Sequence, residues 1–321
     1  MLLHLRLNVP ADQVDDVLGL LRGHDCVANL SRFEGASIEP AGDVVEADAA
    51  RESASDVLES LHDLGLDRSG GIVVTTPFST PFAAAQRIED AAPGESEDAV
   101  VWPEVLEQAE DAARWTFAYQ LFMILAVALA AVAVVTDSPI LVVGAMVVGP
   151  EFGTVAAVAV GTAFGRLDIV GRSLRLLLVA FATSVLVVCG LAFLVALTPL
   201  LDVSMLARPR PLTNFIWKPD WWSFIVALLA GAAGALALST NRGNAMVGVF
   251  ISVTTIPAAG NLALALALGD TAEAWGSVQQ LGVNLGGMVL AGLLVIALQR
   301  LLWHRVLVLT DRLRGRRQPT S

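Results

Sequence analysis

Val148-Gly149-Pro150-Glu151-Phe152-Gly153-Thr154 interrupts an apolar stretch that runs from Ser138 to Gly165. A helix breaker and a carboxylate therefore stand where a lipid-spanning helix should carry neither. Inside a bilayer, non-helical backbone is tolerated only where protein or trapped water satisfies its polar groups, and an intramembrane carboxylate marks a path or site for something polar. A second apolar stretch holds Thr255-Ile256-Pro257-Ala258-Ala259-Gly260-Asn261, so Pro-x-x-Gly followed by Thr or Asn occurs twice. The differences 257 − 150, 260 − 153 and 261 − 154 each equal 107, and Trp222-Ser223-Phe224 follows Trp115-Thr116-Phe117 at the same offset. Two motifs in one register predict two related halves.

Outward from these motifs, composition sets the frame. The chain has 321 residues, 55% of them hydrophobic and 16% charged, with a mean hydropathy of +0.66, values that place most of it in a membrane. At about 20 apolar residues per crossing, six spans are predicted: Trp115 to Val135, Pro139 to Phe164, Leu174 to Leu197, Trp222 to Leu238, Ala245 to Leu268 and Leu281 to Leu298. Three spans per half is an odd number, so the second half enters from the opposite side. The expected fold is an α-helical membrane protein of six transmembrane helices in inverted 3+3 repeats, with the second and fifth helices broken. Such repeats commonly hold a transporter's site at their interface.

The first third differs sharply. Met1 to Ala112 contains 23 Asp and Glu against 6 Arg and no Lys, a balance of −17, and the remainder carries +6, giving the net −11. An acidic, water-soluble domain precedes a mildly basic membrane domain, which argues against nucleic acid as a partner. The pattern from Leu3 to Val9, Ala11 to Leu21, Cys26 to Phe33, Ala36 to Ala47, Ser53 to Leu64 and Gly71 to Thr76 reads β-α-β-β-α-β, predicting a small α+β ferredoxin-like domain. The hairpin turn is expected at Glu34-Gly35. Residues 1–80 form this domain, 81–114 a linker with an amphipathic helix from Trp102, 115–300 the six-span domain and 301–321 a basic tail.

The N-terminus lacks the features of a signal peptide, which predicts a cytoplasmic soluble domain. Eleven bases flank the spans on the side that shares the N-terminus, from Arg114 to Arg317, against Arg208, Arg210 and Lys218 on the other. The positive-inside rule then puts both termini in the cytoplasm of a multi-pass prokaryotic plasma-membrane protein. Cys26 and Cys189 fall in different domains, His24-Asp25-Cys26 cannot converge on one ion, and neither a disulfide nor a metal site is expected. P-loop and dinucleotide motifs are absent, as are the Ser/His pairs and paired carboxylates of intramembrane catalysts, so no cofactor and no enzymatic activity are expected.

Candidate binding residues cluster at the breaks. Glu151 lies near mid-depth, where an ionised carboxylate costs roughly 2.5–3.5 kcal/mol on insertion scales, and the predicted spans hold no Lys or Arg to pair with it apart from Arg175 at the very edge of the third. It reads as a proton-coupling or cation-binding group, or as a carboxylate offsetting the dipole of a half-helix that begins at Pro150. Gly149, Gly153 and Gly260, beside Pro150 and Pro257, permit unwound backbone or close helix packing. Thr154 and Asn261, at matched positions, are expected to face each other. Thr254 and Thr255, with Ser252, add hydroxyls before the second break, and Asn284 is deep enough to need a partner. Gly282 and Gly286, and the small residues Ala230, Gly231, Gly234 and Ala235, suit helix pairing or a homo-oligomer.

Through Ser138-Pro139-Ile140-Leu141-Val142-Val143-Gly144-Ala145-Met146-Val147-Val148-Gly149-Pro150 and the segment from Val247 to Gly260, the chain resembles the DUF389 family of bacterial and archaeal membrane proteins over about Trp115 to Arg300. The resemblance implies a membrane protein with a cytoplasmic N-terminal domain. The family's common pattern has Ser-Pro-Leu-Met-Gly-Pro where this chain has Gly149-Pro150-Glu151-Phe152-Gly153-Thr154, so the resemblance stops short of Glu151. Besides the lipid bilayer, the expected partner is a small solute or ion carried by a transporter or channel. The alternative is a membrane-anchored sensor or scaffold that binds through its N-terminal domain.

Overall fold

The computed structural model describes residues 2–92, 99–198, 210–240 and 253–314, with side chains through Leu302. Two compact units emerge, Met1–Glu104 with Arg300–Ser321, and Val105–Gln299.

The first unit is built on a four-stranded antiparallel sheet in the order β2-β3-β1-β4, from β1 (Leu2–Pro10), β2 (Val27–Ser37), β3 (Gly42–Ala50) and β4 (Gly71–Thr75). The helices α1 (Val14–Gly23), α2 (Ala54–Asp63) and the single-turn α3 (Leu66–Ser69) complete the β-α-β-β-α-β order. Alternation in β1 decides the layers, because successive side chains point to opposite faces. Leu3, Leu5, Leu7 and Val9 are fully buried against Val14, Val17 and Leu21 of α1 and Val57 and Leu61 of α2.

Two expectations are corrected here. The hairpin turns after Ser37, not at Glu34-Gly35, which lies inside β2. Gly35 adopts φ +63, a conformation open to glycine without strain, and produces a register shift between Phe33 and Ser37. Asp43 Oδ1 accepts from the Gly35 amide at 2.9 Å, and its Oδ2 accepts from Arg32 Nε at 2.6 Å. Nor is 82–101 all linker: α4 (Ala83–Ala91) lies within it, favoured by its alanines, and Ala85 and Ile88 cover Leu2 and Ala50 on the sheet's second face. Residues 93–98 of that stretch lie outside the described residues. Farther on, Ser55 Oγ donates to the Val100 carbonyl at 3.2 Å, and the buried Arg51 donates to the Ala99 carbonyl and pairs with Glu104.

The Gly35 amide and the Arg32 guanidinium hold the Asp43 carboxyl below its ordinary pKa. Its stabilisation is therefore complete at neutral pH and lost as pH falls through that lowered value. Asp43→Asn is expected to speed hydrogen exchange at the Gly35 amide at neutral pH and to remove its acid dependence; unchanged protection would contradict the assignment.

The second unit contains the end of α5 (Trp102–Ala112), then α6 (Phe117–Val135), α7 (Pro139–Val148), α8 (Glu151–Ala163), α9 (Leu167–Ala196), α10 (Trp221–Ser239), α11 (Thr255–Leu268) and most of α12 (Thr271–Arg314). Four helices, α6, α9, α10 and α12, are long and apolar enough to cross a membrane, and α7 with α8 makes a fifth candidate bent by 55°. The six expected spans are thus four or five among the described residues. The predicted fifth span begins at Ala245, and its portion before Val253 lies outside them, as do Ser252, Arg208, Arg242 and the tail after Arg314. Helix α9 shows the lipid-exposed pattern: Leu178, Leu186 and Leu194 are exposed, while Ser173 and Ser184 are fully buried, the latter accepting from Gln120 Nε2 at 3.0 Å.

Helix boundaries repeat with a period other than 107. The starts of α6, α8 and α9 recur in α10, α11 and α12, where 221 − 117, 255 − 151 and 271 − 167 each equal 104. The caps follow: Thr116 caps the Tyr119 amide and Asp220 the Ser223 amide, and the left-handed Gly165 is matched by Gly269. The prolines differ by 107 because Pro150 caps α8 whereas Pro257 is the third residue of α11. Both positions lack an intrahelical acceptor for an amide, so proline is tolerated at each.

Small residues serve packing within the chain. A Cβ on Gly260 would lie 2.6 Å from Ala130 Cβ and 2.7 Å from the Ala131 amide nitrogen, one on Gly234 would overlap the Phe152 ring, and one on Gly231 would strike the Met288 backbone. Gly260→Val is expected to lower stability by about 1–3 kcal/mol, read as a drop in thermal midpoint of the detergent-solubilised protein; an unchanged midpoint would contradict the close approach. Gly282 and Gly286 instead have open space above them.

A buried polar centre at the helix breaks

The α7–α8 junction follows from three residues. Gly149 ends α7 in an extended conformation, Pro150 follows without an amide hydrogen, and Glu151 begins α8. A Cβ on Gly149 would strike Glu151 Oε2 and lie 2.7 Å from Ile256 Cγ1, so glycine permits the start of α11 to approach. The approach brings the two predicted breaks together. Thr255 Oγ1 donates to Glu151 Oε1 at 2.7 Å. Glu151 is only 7% exposed, and its Oε2 has no hydrogen-bond partner among the described residues. Glu151 and Thr255 are themselves equivalent at the 104-residue period, so the two matched helix starts meet through matched residues.

The other predicted residues divide. Thr254 Oγ1 accepts from Gln280 Nε2 at 3.1 Å and from Asn284 Nδ2 at 3.0 Å, giving Asn284 the partner its depth requires. Thr154 and Asn261 do not face each other. Thr154 donates to the Ala112 carbonyl at 3.0 Å and lies 3.1 Å from the Tyr119 hydroxyl, whereas Asn261 bonds to Arg210 at 3.2 Å and to Ser277 at 2.9 Å. The reason is the period: at 104, Thr154 corresponds to Ala258 and Asn261 to Ala157. Of the glycines, Gly149 alone lies in non-helical backbone at the break; Gly153 and Gly260 are helical, and Gly260 is the close-packing position already described.

Several residues of this centre escaped the sequence reading. Arg210, counted among the bases of an outer loop, is 7% exposed and forms a short ion pair with Glu273, which is 6% exposed. Its neighbour Thr213 donates to Asp137 at 2.7 Å, and Ile216 is fully buried in the helical core. Glu273, Ser277, Gln280 and Asn284 occupy one buried face of α12, at the i, i+4, i+7, i+11 spacing that a helix aligns. That polar periodicity was present in the sequence. A sixth span beginning at Leu281 leaves Glu273 and Ser277 outside it, whereas α12 begins at Thr271.

Comparison with known proteins agrees with the motifs. Residues 146–290 match a family described as a domain of unknown function, DUF389, so the resemblance carried by the two Pro-x-x-Gly stretches holds. The chain is 22% identical over 238 residues to an uncharacterized protein of Methanocaldococcus jannaschii, covering 72% of this chain and 71% of the relative. No solved structure matches it.

Proposed function

We propose that this DUF389-like membrane protein moves a small polar solute or ion, with its site where the two helix breaks meet at Glu151. The observation that carries this reading is the carboxylate itself: buried, bonded through one oxygen to Thr255 of the other break, and unpartnered at the second. A structural cap does not require this arrangement, because a helix N-terminus can be capped in water without the insertion penalty. Gly149, Pro150, Thr254, Thr255 and Asn284 complete the centre, and no covalent chemistry is assigned to it.

Geometry favours one broken span over a hairpin at α7–α8. Ten and 13 residues at 1.5 Å rise give arms of about 15 and 20 Å, and a 55° bend leaves their ends about 31 Å apart, close to the bilayer core of about 30 Å. On this reading each half crosses three times, the 104-residue period relates inverted halves, and rocking of one against the other gives alternating access. The positive-inside rule then places residues 210–217 at the outer end, both termini in the cytoplasm and the N-terminal unit as a regulator. The open face at Gly282 and Gly286 would suit a second copy of the chain.

Flux measured in liposomes across a panel of small solutes and ions, with the intact protein against Glu151→Gln, tests the reading. Movement that the substitution suppresses is expected. A sensor or scaffold would show no flux under any gradient while still being stabilised by a ligand.

A further inference from the structure

Resting on the transport reading, we infer that the buried face of α12 is a cation track, delivering a proton or a bare monovalent metal ion from the Arg210 end of the bundle to Glu151. The track is a file of buried polar side chains in three hydrogen-bonded groups, set in succession along α12 and the start of α11. It starts at the Arg210–Glu273 ion pair, where Ser277 Oγ donates to the Glu273 carbonyl at 2.8 Å and accepts from Asn261 at 2.9 Å. One turn on, Gln280 donates to Asn284 at 3.4 Å, and both donate to Thr254. Thr254 adjoins Thr255, which holds Glu151. From Glu273 to Asn284 is 11 residues, about 16 Å of helix rise, half of a bilayer core of about 30 Å.

The unpaired atoms name the ligand class. Along this track, Glu273 Oε2, Gln280 Oε1 and Glu151 Oε2 are buried without a partner among the described residues, and all three are acceptors. An anion or a neutral acceptor would find no free donor at them, whereas a proton or a small hard cation satisfies each oxygen in turn. The charged and titratable groups around them are few. Arg210 faces Glu273, and Glu151 is approached by Thr255 from α11, while the Tyr119 hydroxyl of α6 lies on Thr154 one turn along α8. Arg210 fixes one oxygen of Glu273 and repels a cation that is not screened by the pair, so it would act as the entry control. Ser277, Gln280 and Thr254 are positioning residues between the two carboxylates.

The experiment uses the full-length protein in liposomes, with an internal pH dye for protons and radioactive sodium for the metal ion, under an imposed potential. Wild type should pass one of the two cations, and the dye and the isotope identify which. Gln280→Met, close in volume and distant from the ion pair, should reduce that flux at least tenfold while the gel-filtration profile stays that of the folded wild type; Glu273→Gln should do the same where it remains folded. Cation flux unaffected by Gln280→Met would overturn the track. So would solute flux that Glu151→Gln suppresses but that neither a proton nor a sodium gradient influences, and in both cases the transport reading would survive. Absence of flux of every solute and ion would remove both.

Discussion

Arg210→Met alone is expected to destabilise the protein by about 3–5 kcal/mol, whereas Arg210→Met with Glu273→Met recovers most of that loss. The single change leaves a carboxylate 6% exposed without its cation, and an uncompensated buried charge is among the largest destabilisations a point mutation produces. It also strips Asn261 Oδ1 of its donor and frees the segment that carries Thr213 and Ile216 into the bundle. Two methionines of comparable length fill the site without any charge, and such replacements of buried ion pairs are often neutral. Thermal unfolding in detergent distinguishes the cases. A single variant as stable as wild type would mean that the pair is solvated and contributes little.

Glu151→Gln is expected to lower solute or ion flux at least a hundredfold while shifting the thermal midpoint little. Glutamine keeps the shape of the side chain and an oxygen to accept from Thr255, but it cannot gain and lose a proton or present a charge to a cation. The insertion penalty of roughly 2.5–3.5 kcal/mol for a carboxylate at mid-depth falls on the native residue, so removing it is not expected to harm folding. Thr255→Val gives the converse pattern: the carboxylate stays, and loss of a buried donor destabilises by about 1–3 kcal/mol. Equal flux in wild type and Glu151→Gln would leave the carboxylate as a dipole cap.

Much of this arrangement was legible in the sequence because strong local signals and tertiary outcome coincide. Leu3 to Val9 alternates, and the alternation faces α1 and α2 as expected. Pro150 has no amide hydrogen to donate and breaks a helix whose interior it would occupy, and the break is at that residue. Hairpin placement was misread because Gly35 signals either a turn or a bulge, and only the pairing of Asp43 with the Gly35 amide decides between them. The motifs recur at 107 whereas the helix starts recur at 104: proline is equally tolerated as a cap and in a first turn, so aligning Pro150 with Pro257 offsets the helix starts by three residues. That slip matched Thr154 with Asn261 and hid the true pair, Glu151 with Thr255. Polar residues in α12 were hidden by a different cause. A hydrophobic window sees a span where apolar residues dominate, and Glu273, Ser277 and Gln280 of the buried polar face lie on the turns before that window begins.

The meeting of the two breaks can be tested directly by oxidative cross-linking of Gly149→Cys with Ile256→Cys in a chain whose Cys26 and Cys189 are replaced by serine. A Cβ at Gly149 lies 2.7 Å from Ile256 Cγ1, within reach of a disulfide after modest relaxation. With a protease site introduced between the two positions, the fragments are predicted to remain joined under oxidising conditions and to separate on reduction, while Gly149→Cys paired with Leu266→Cys on the exposed face of α11 yields no link. Fragments of the first pair that separate without reductant would contradict a shared centre at Glu151 and Thr255.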